Sequence, residues 1–211
     1  MDAEDDAPAR TPARELVTHK VPAAEGYRIW ARTYDDALNP IVSLIDRHLE
    51  IPPGLVIDVA CGTGRWIERT RGFGADLSSE MLAKCRGRAA QSDARMLPFP
   101  TGVADVAMCI LALGYISPPE TVLEEMQRIT RAGGTIICAD LHPLAIEAGW
   151  TRSFRDGSEV YEIENRPFRP DGAIDLYFGE AERAVYERAG RATLFEQVRS
   201  IPAAWMKRWT R

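Results

Sequence analysis

The chain has 211 residues, 45% hydrophobic and 27% charged, which allows one well-filled domain and excludes a fibrous or wholly unfolded protein. Its 26 Lys and Arg against 31 Asp and Glu leave a formal charge of −5, so bulk attraction to nucleic acid or an anionic bilayer is not expected. The four cysteines (Cys61, Cys85, Cys109, Cys138) have neither CxxC nor Cys–His metal spacing, so no metal is expected and a reduced, cytoplasmic setting is.

In chain order, residues 1–20 read as a disordered acidic arm, without the basic start and apolar run of a signal peptide. Residues 21–211 read as a single domain. From Tyr27 apolar residues recur at helical spacing through Trp30, Tyr34, Leu38, Ile41, Ile45 and Leu49, with Asn39 as an N-cap and Pro40 opening a second helix. Short apolar strands then alternate with amphipathic helices. Strands are predicted at Leu55–Ala60, Phe73–Leu77, near Ala90, at Val106–Leu111 and at Thr135–Ala139. Helices are predicted from Arg65, after a Ser78–Ser79 cap, and from Pro119 to a stop at Gly133-Gly134. Apolar strands alternating with helices imply an α/β fold, a parallel sheet covered on both faces. Arg152–Pro170 reads as a polar insertion, Asp175–Ala189 as a helix, and Thr193–Ile201 with Ala203–Trp209 as two closing antiparallel strands.

The chemistry gathers where these strands end. The first strand runs through Asp58 into Ala60-Cys61-Gly62-Thr63-Gly64, small residues that let backbone approach a ligand. A dinucleotide fingerprint would need glycine at position 67, where Ile67 stands, and a buried Asp58 favours a cationic or amine-bearing ligand over a pyrophosphate. Asp76 ends the second strand, 18 positions past Asp58, near the spacing at which an acid reaches a ribose diol. Asp93 follows the third strand, where a carboxylate and the Ala94 N–H can meet an adenine edge. Each residue has a plainer reading as a cap or turn. Three acids along one sheet edge together point to a nucleoside.

The chain resembles the class I S-adenosylmethionine-dependent methyltransferases, in particular the small-molecule group that includes the quinone-biosynthesis enzymes. The residues that carry the resemblance are Asp58–Gly64, Gly74–Leu82, Ser92–Phe99, Asp105–Leu113 and Arg131–Gly134, in the family's order. The resemblance implies a Rossmann-like sheet of seven strands, mostly parallel with an antiparallel last strand, and helices on both faces. It implies S-adenosyl-L-methionine as cofactor and S-adenosyl-L-homocysteine as product. Ala60, Cys61, Gly62 and Gly64 would hold the methionine end, with Asp58 near its amino group. Asp76 would bind the ribose hydroxyls, Leu77 an adenine face, and Asp93 and Ala94 the adenine edge. The backbone of Ile110 would face the methyl group. Residues 21–50 would form a helical lid with Tyr34 as a contact, and residues 150–172 an insertion on the acceptor side.

Methyl transfer to a phenol or alcohol needs a base. His142 follows the fifth strand and is the candidate, with Asp140 as partner; its plainer role is to shape the turn before Pro143. Tyr115, Trp150, Phe154, Tyr161 and Phe168 point to a small apolar or aromatic acceptor, the O, N or C atom being open. Two other readings stand beside this one: a non-catalytic adenosylmethionine-binding regulator, and a nicotinamide-dependent oxidoreductase.

Overall fold

The computed structural model describes residues 17–36 and 38–211. Most of the arm expected at 1–20 therefore lies outside the described residues, but its last part does not. Val17–Val21 is a strand, β1. Helix α1 (Ala23–Trp30) and a single 3-10 turn at Tyr34–Asp36 follow, then α2 (Pro40–His48). Asn39 caps α2 as expected, its Oδ1 accepting from the N–H of Ile41 at 3.0 Å.

The predicted alternation appears as β2 (Val56–Val59), α3 (Arg65–Thr70), β3 (Phe73–Asp76), α4 (Ser79–Leu82), β4 (Arg88–Gln91), β5 (Ala104–Ile110), α5 (Pro119–Ile129) and β6 (Thr130–Leu141). Ser78 caps α4, accepting from the Met81 N–H at 3.2 Å. Helix α5 stops at Thr130, ahead of Gly133-Gly134, which lie inside β6 instead of ending the helix. The remainder is α6 (Pro143–Glu147), β7 (Arg152–Asp156), β8 (Glu159–Ile163), β9 (Ile174–Leu176), α7 (Glu180–Arg188), α8 (Ala192–Val198) and β10 (Ala204–Thr210).

Seven strands form the main sheet in the order β4-β3-β2-β5-β6-β10-β9, parallel from β4 to β6. β10 is antiparallel to both neighbours, β6 and β9. The expected antiparallel finish is present, but its partners differ from those read in the sequence. Thr193–Ile201 is mostly helix α8, whose Phe195 and Val198, three residues apart, are buried. Asp175 and Leu176 belong to β9, and only Glu180 to Arg188 are helical.

Successive residues of the central strands face opposite cores, as strand geometry requires. Val56, Met108, Ile137 and Met206 point to the side of α2, together with Phe195 and Val198 from α8. Ile57, Ala107, Cys109, Ile136 and Trp205 point to the side of α5. A second sheet, β1-β8-β7, forms a cap. β1 is parallel to β8 and β7 antiparallel to it, so the expected lid and the expected insertion are joined by backbone hydrogen bonds. Helix α1 crosses this cap where Gly26 lies so close to Ile163 that an added Cβ would stand 2.7 Å from its side chain. Among the described residues no helix is long and apolar enough to cross a membrane.

Candidate functional site

A cavity of about 610 Å³ opens at the C-terminal ends of β2, β3, β4 and β5, between the main sheet and the cap. Of the residues predicted for the site, Tyr34, Ala60, Cys61, Gly62, Asp76, Leu77, Asp93, Ala94 and Ile110 all line it. Asp58 and Gly64 stand behind the lining. An added Cβ on Gly64 would meet the Cys85 sulfur at 2.6 Å and the Arg86 nitrogen at 3.1 Å, so glycine there lets the loop pack on the segment after α4.

The loop after β2 bends through left-handed backbone at Ala60 (φ 57°), Gly62 (φ 54°) and Gly64 (φ 79°). Alanine in that region is strained by about 1–2 kcal/mol, a cost tolerated where surrounding structure dictates the turn. Leu111 (φ 61°), directly after β5, carries the same strain on the opposite wall. The side chain of Ile67, where a third glycine would have stood, is buried and packs onto Gly74 and Gly87; an added Cβ on either would come within 2.4 Å of it.

Asp58 is 1% exposed, and both of its carboxyl oxygens are buried without a hydrogen-bond partner among the described residues. Burial, reinforced by the neighbouring Asp76 carboxylate, pushes its pKa well above the usual carboxylate value. Asp76 is held for use. Its Oδ2 accepts from the Gly62 N–H and its Oδ1 from the Ser78 N–H, each at 2.8 Å, leaving further lone pairs on both oxygens. Burial raises its pKa, and those backbone donors oppose the rise. Leu77 beside it is half-exposed, an apolar side chain on the cavity wall with open space before it. Asp93 is gripped by Arg95, whose Nη2 and Nε donate to it at 2.6 and 3.0 Å, and this holds its pKa down. The Cys61 thiol is forced upward by burial, which keeps it protonated and unreactive.

The predicted catalytic pair is not assembled. His142 is 5% exposed and caps α6, its Nδ1 accepting from the Leu144 N–H at 3.1 Å, while Nε2 lies 3.3 Å from Asp175. Asp140 turns to the backbone instead, accepting from the N–H groups of Gly114 at 2.8 Å and Leu141 at 2.7 Å. Neither lines the cavity, nor does any histidine. The plainer reading of His142 fits this geometry. Of the predicted acceptor aromatics, only Tyr115 lines the cavity. Trp150 stacks on Phe178 and Phe168 packs on Trp205, both away from it. Phe154 and Tyr161 form the cap's own core, with Trp30 stacked 4.9 Å from Phe154. Sequence reasoning placed Tyr27 in the lid helix without singling it out as a wall residue, and passed over Arg152 behind it, because nothing in the sequence pairs β1 with β8.

Known proteins share this architecture. A family model described as a methyltransferase domain matches residues 57–138, from β2 to β6. A malonyl-[acyl-carrier protein] O-methyltransferase of Pectobacterium atrosepticum is 36% identical over 170 residues, 72% of this chain and 65% of that protein. These matches support the class I S-adenosylmethionine-dependent methyltransferases as the family of this chain. A demethylmenaquinone methyltransferase of Geobacillus stearothermophilus is 27% identical over 133 residues, 50% of this chain and 57% of its own. The chain thus spans less than two thirds of the length of these relatives. A solved S-adenosylmethionine-dependent methyltransferase from Mesorhizobium loti shares the fold with a TM-score of 0.60 at 17% identity, covering 83% of this chain and 99% of its own. S-adenosylmethionine is the cofactor that goes with this family.

Proposed function

We propose that this chain transfers the methyl group of S-adenosylmethionine to a small molecule of apolar or aromatic character. Asp58 carries the reading. A carboxyl group buried with both oxygens unmet is costly unless a ligand completes it, and an ammonium group is the complement it lacks. The nearby residues suit the rest of the same molecule. Asp76 offers lone pairs to the ribose hydroxyls, Leu77 an apolar face to adenine, and Asp93 with Ala94 its edge.

When bound, S-adenosylmethionine supplies a methyl carbon already activated by sulfonium. The chain's own work is alignment and exclusion of water. Ile110 and Leu111 wall the reacting side, while Tyr27 and Tyr34 cover it from the cap. With no histidine on the wall, the site favours an acceptor atom that attacks without losing a proton to imidazole. That same feature favours a second reading, a regulator that binds the cofactor without turnover. Calorimetric titration with S-adenosylmethionine and S-adenosylhomocysteine tests the first step, and release of S-adenosylhomocysteine across an acceptor panel separates the two readings. Absence of cofactor binding at millimolar concentration would end both.

A further inference from the structure

Behind the tyrosine wall of the cavity lies a polar cluster that the cofactor reading does not use. Arg152, the first residue of β7, is 6% exposed, and no carboxylate forms an ion pair with it among the described residues. One of its nitrogens, Nη1, donates to the Tyr27 hydroxyl over a long 3.4 Å, and its guanidinium stands 5.6 Å from the Tyr115 ring centre. Among the described residues the Tyr115 hydroxyl and both polar atoms of Asn165 are buried without a well-formed hydrogen bond, and the nearest polar company of that hydroxyl is the Asn165 side chain. Asp140, the one acid whose charge is felt at Arg152 among the described residues, has its two oxygens committed to the N–H groups of Gly114 and Leu141. Tyr27 and Tyr115 also line the cavity, so the cluster abuts the space left for an acceptor.

Buried cations without a paired anion are rare, because desolvation costs several kcal/mol unless a counter-charge restores it. Among the described residues, five of the six buried side-chain polar atoms without a well-formed hydrogen bond belong either to Asp58 or to this cluster. The first carboxyl awaits a cation; the second group awaits an anion.

We propose that Arg152, with Tyr27, Tyr115 and Asn165, recognises a carboxylate on the methyl acceptor. The proposal rests on the methyltransferase reading above and names its substrate class. A carboxylate matches the planar fork of a guanidinium in two parallel hydrogen bonds and brings a single negative charge. A phosphate dianion would leave excess negative charge buried beside Asp140. Tyr115 and Asn165 supply the donors that complete the anion's remaining lone pairs.

The test uses the full chain saturated with S-adenosylhomocysteine, titrated with benzoate, phenylacetate and octanoate, each against its primary amide. At least one carboxylate is expected to bind in the millimolar range or tighter, and roughly tenfold or more better than its amide. Arg152→Gln is expected to abolish that preference with S-adenosylhomocysteine affinity unchanged, and Arg152→Lys to keep part of it. No carboxylate preference in the unaltered chain, or a preference that survives Arg152→Gln, overturns the proposal. Should Arg152→Gln fail to fold, Tyr115→Phe, which removes one hydroxyl and keeps the ring, replaces it; several-fold weaker carboxylate binding supports the proposal and unchanged binding overturns it. If S-adenosylhomocysteine itself does not bind, the cofactor reading fails separately, and the same carboxylate and amide titrations on the free chain still judge Arg152.

Discussion

Replacing Asp58 by alanine should shift stability and ligand affinity in opposite directions. In the free protein this carboxyl is buried with no hydrogen-bond partner among the described residues. Its unmade hydrogen bonds cost about 1–3 kcal/mol. The small void left by truncation costs about 1 kcal/mol in return. The free variant should therefore be as stable as the parent or up to about 2 kcal/mol more stable, a rise of at most several degrees in Tm for a domain of this size. Affinity for S-adenosylmethionine should fall by about 1.5–3 kcal/mol, roughly ten- to 150-fold, through loss of a charge-assisted hydrogen bond to its ammonium.

The pH dependence has a definite sign. Burial, and secondarily the charge of Asp76, raise the folded pKa well above the ordinary carboxylate value of 3.8. Below that value both states hold the proton and no penalty arises. As pH rises past it, the unfolded chain releases its proton while the folded chain retains it, so the free protein loses stability with rising pH until the raised value is passed. Thermal melts across this window, with and without cofactor, and calorimetry at neutral pH provide the assay. A variant that melts lower than the parent and binds the cofactor equally well would refute the reasoning.

Asp76→Ala should weaken S-adenosylmethionine binding by about 1–3 kcal/mol in calorimetry, since it removes the ribose acceptor of the proposed binding mode and frees the Gly62 and Ser78 N–H groups that fix the loop. His142→Ala should cost about 1 kcal/mol of stability as a lost helix cap and leave turnover intact; a collapse of turnover without destabilisation would return His142 to the mechanism. Glu182→Ala should lower stability by about 2–3 kcal/mol in denaturant titration, because Oε2 accepts from Gly179 and Arg47 and Oε1 from Ser43, tying α2 to α7. Ala60→Gly should raise stability by about 0.5–1 kcal/mol, by relieving left-handed strain against the entropy glycine adds to the unfolded chain.

The central sheet was legible because Val106–Ile110 of β5 and Ile136–Ala139 of β6 are apolar runs buried on both faces, and buried β2 is interrupted only by Asp58. The strand-end residues Asp58, Asp76 and Asp93 were legible for a related reason: once strand direction is known, position in sequence gives position along the edge. Side-chain direction does not follow in the same way. His142 sits next to the edge, yet its ring folds back as a cap, a choice made by Leu144 and Asp175. Helix α8 was misread because Leu194, Phe195 and Val198 form too short a run to separate a period of 3.6 from one of 2. The cap was invisible for the strongest reason, since β1 finds its partner in β8 only after five strands of the main sheet, β2 to β6, intervene.

That pairing has a kinetic consequence. His19 meets Glu159 across 140 positions of chain, among the widest separations between interacting side chains in the molecule. Closing so large a loop brings its reward late, so the main sheet should assemble first and the small β1-β8-β7 sheet should dock onto it afterwards. Run backwards, the same order makes this sheet the unit that detaches at the lowest free energy. Amide hydrogens of Val17–Val21 should then exchange with deuterium well before those of β5, and such partial opening gives a molecule of acceptor size a way in and out while the Rossmann-like body stays folded.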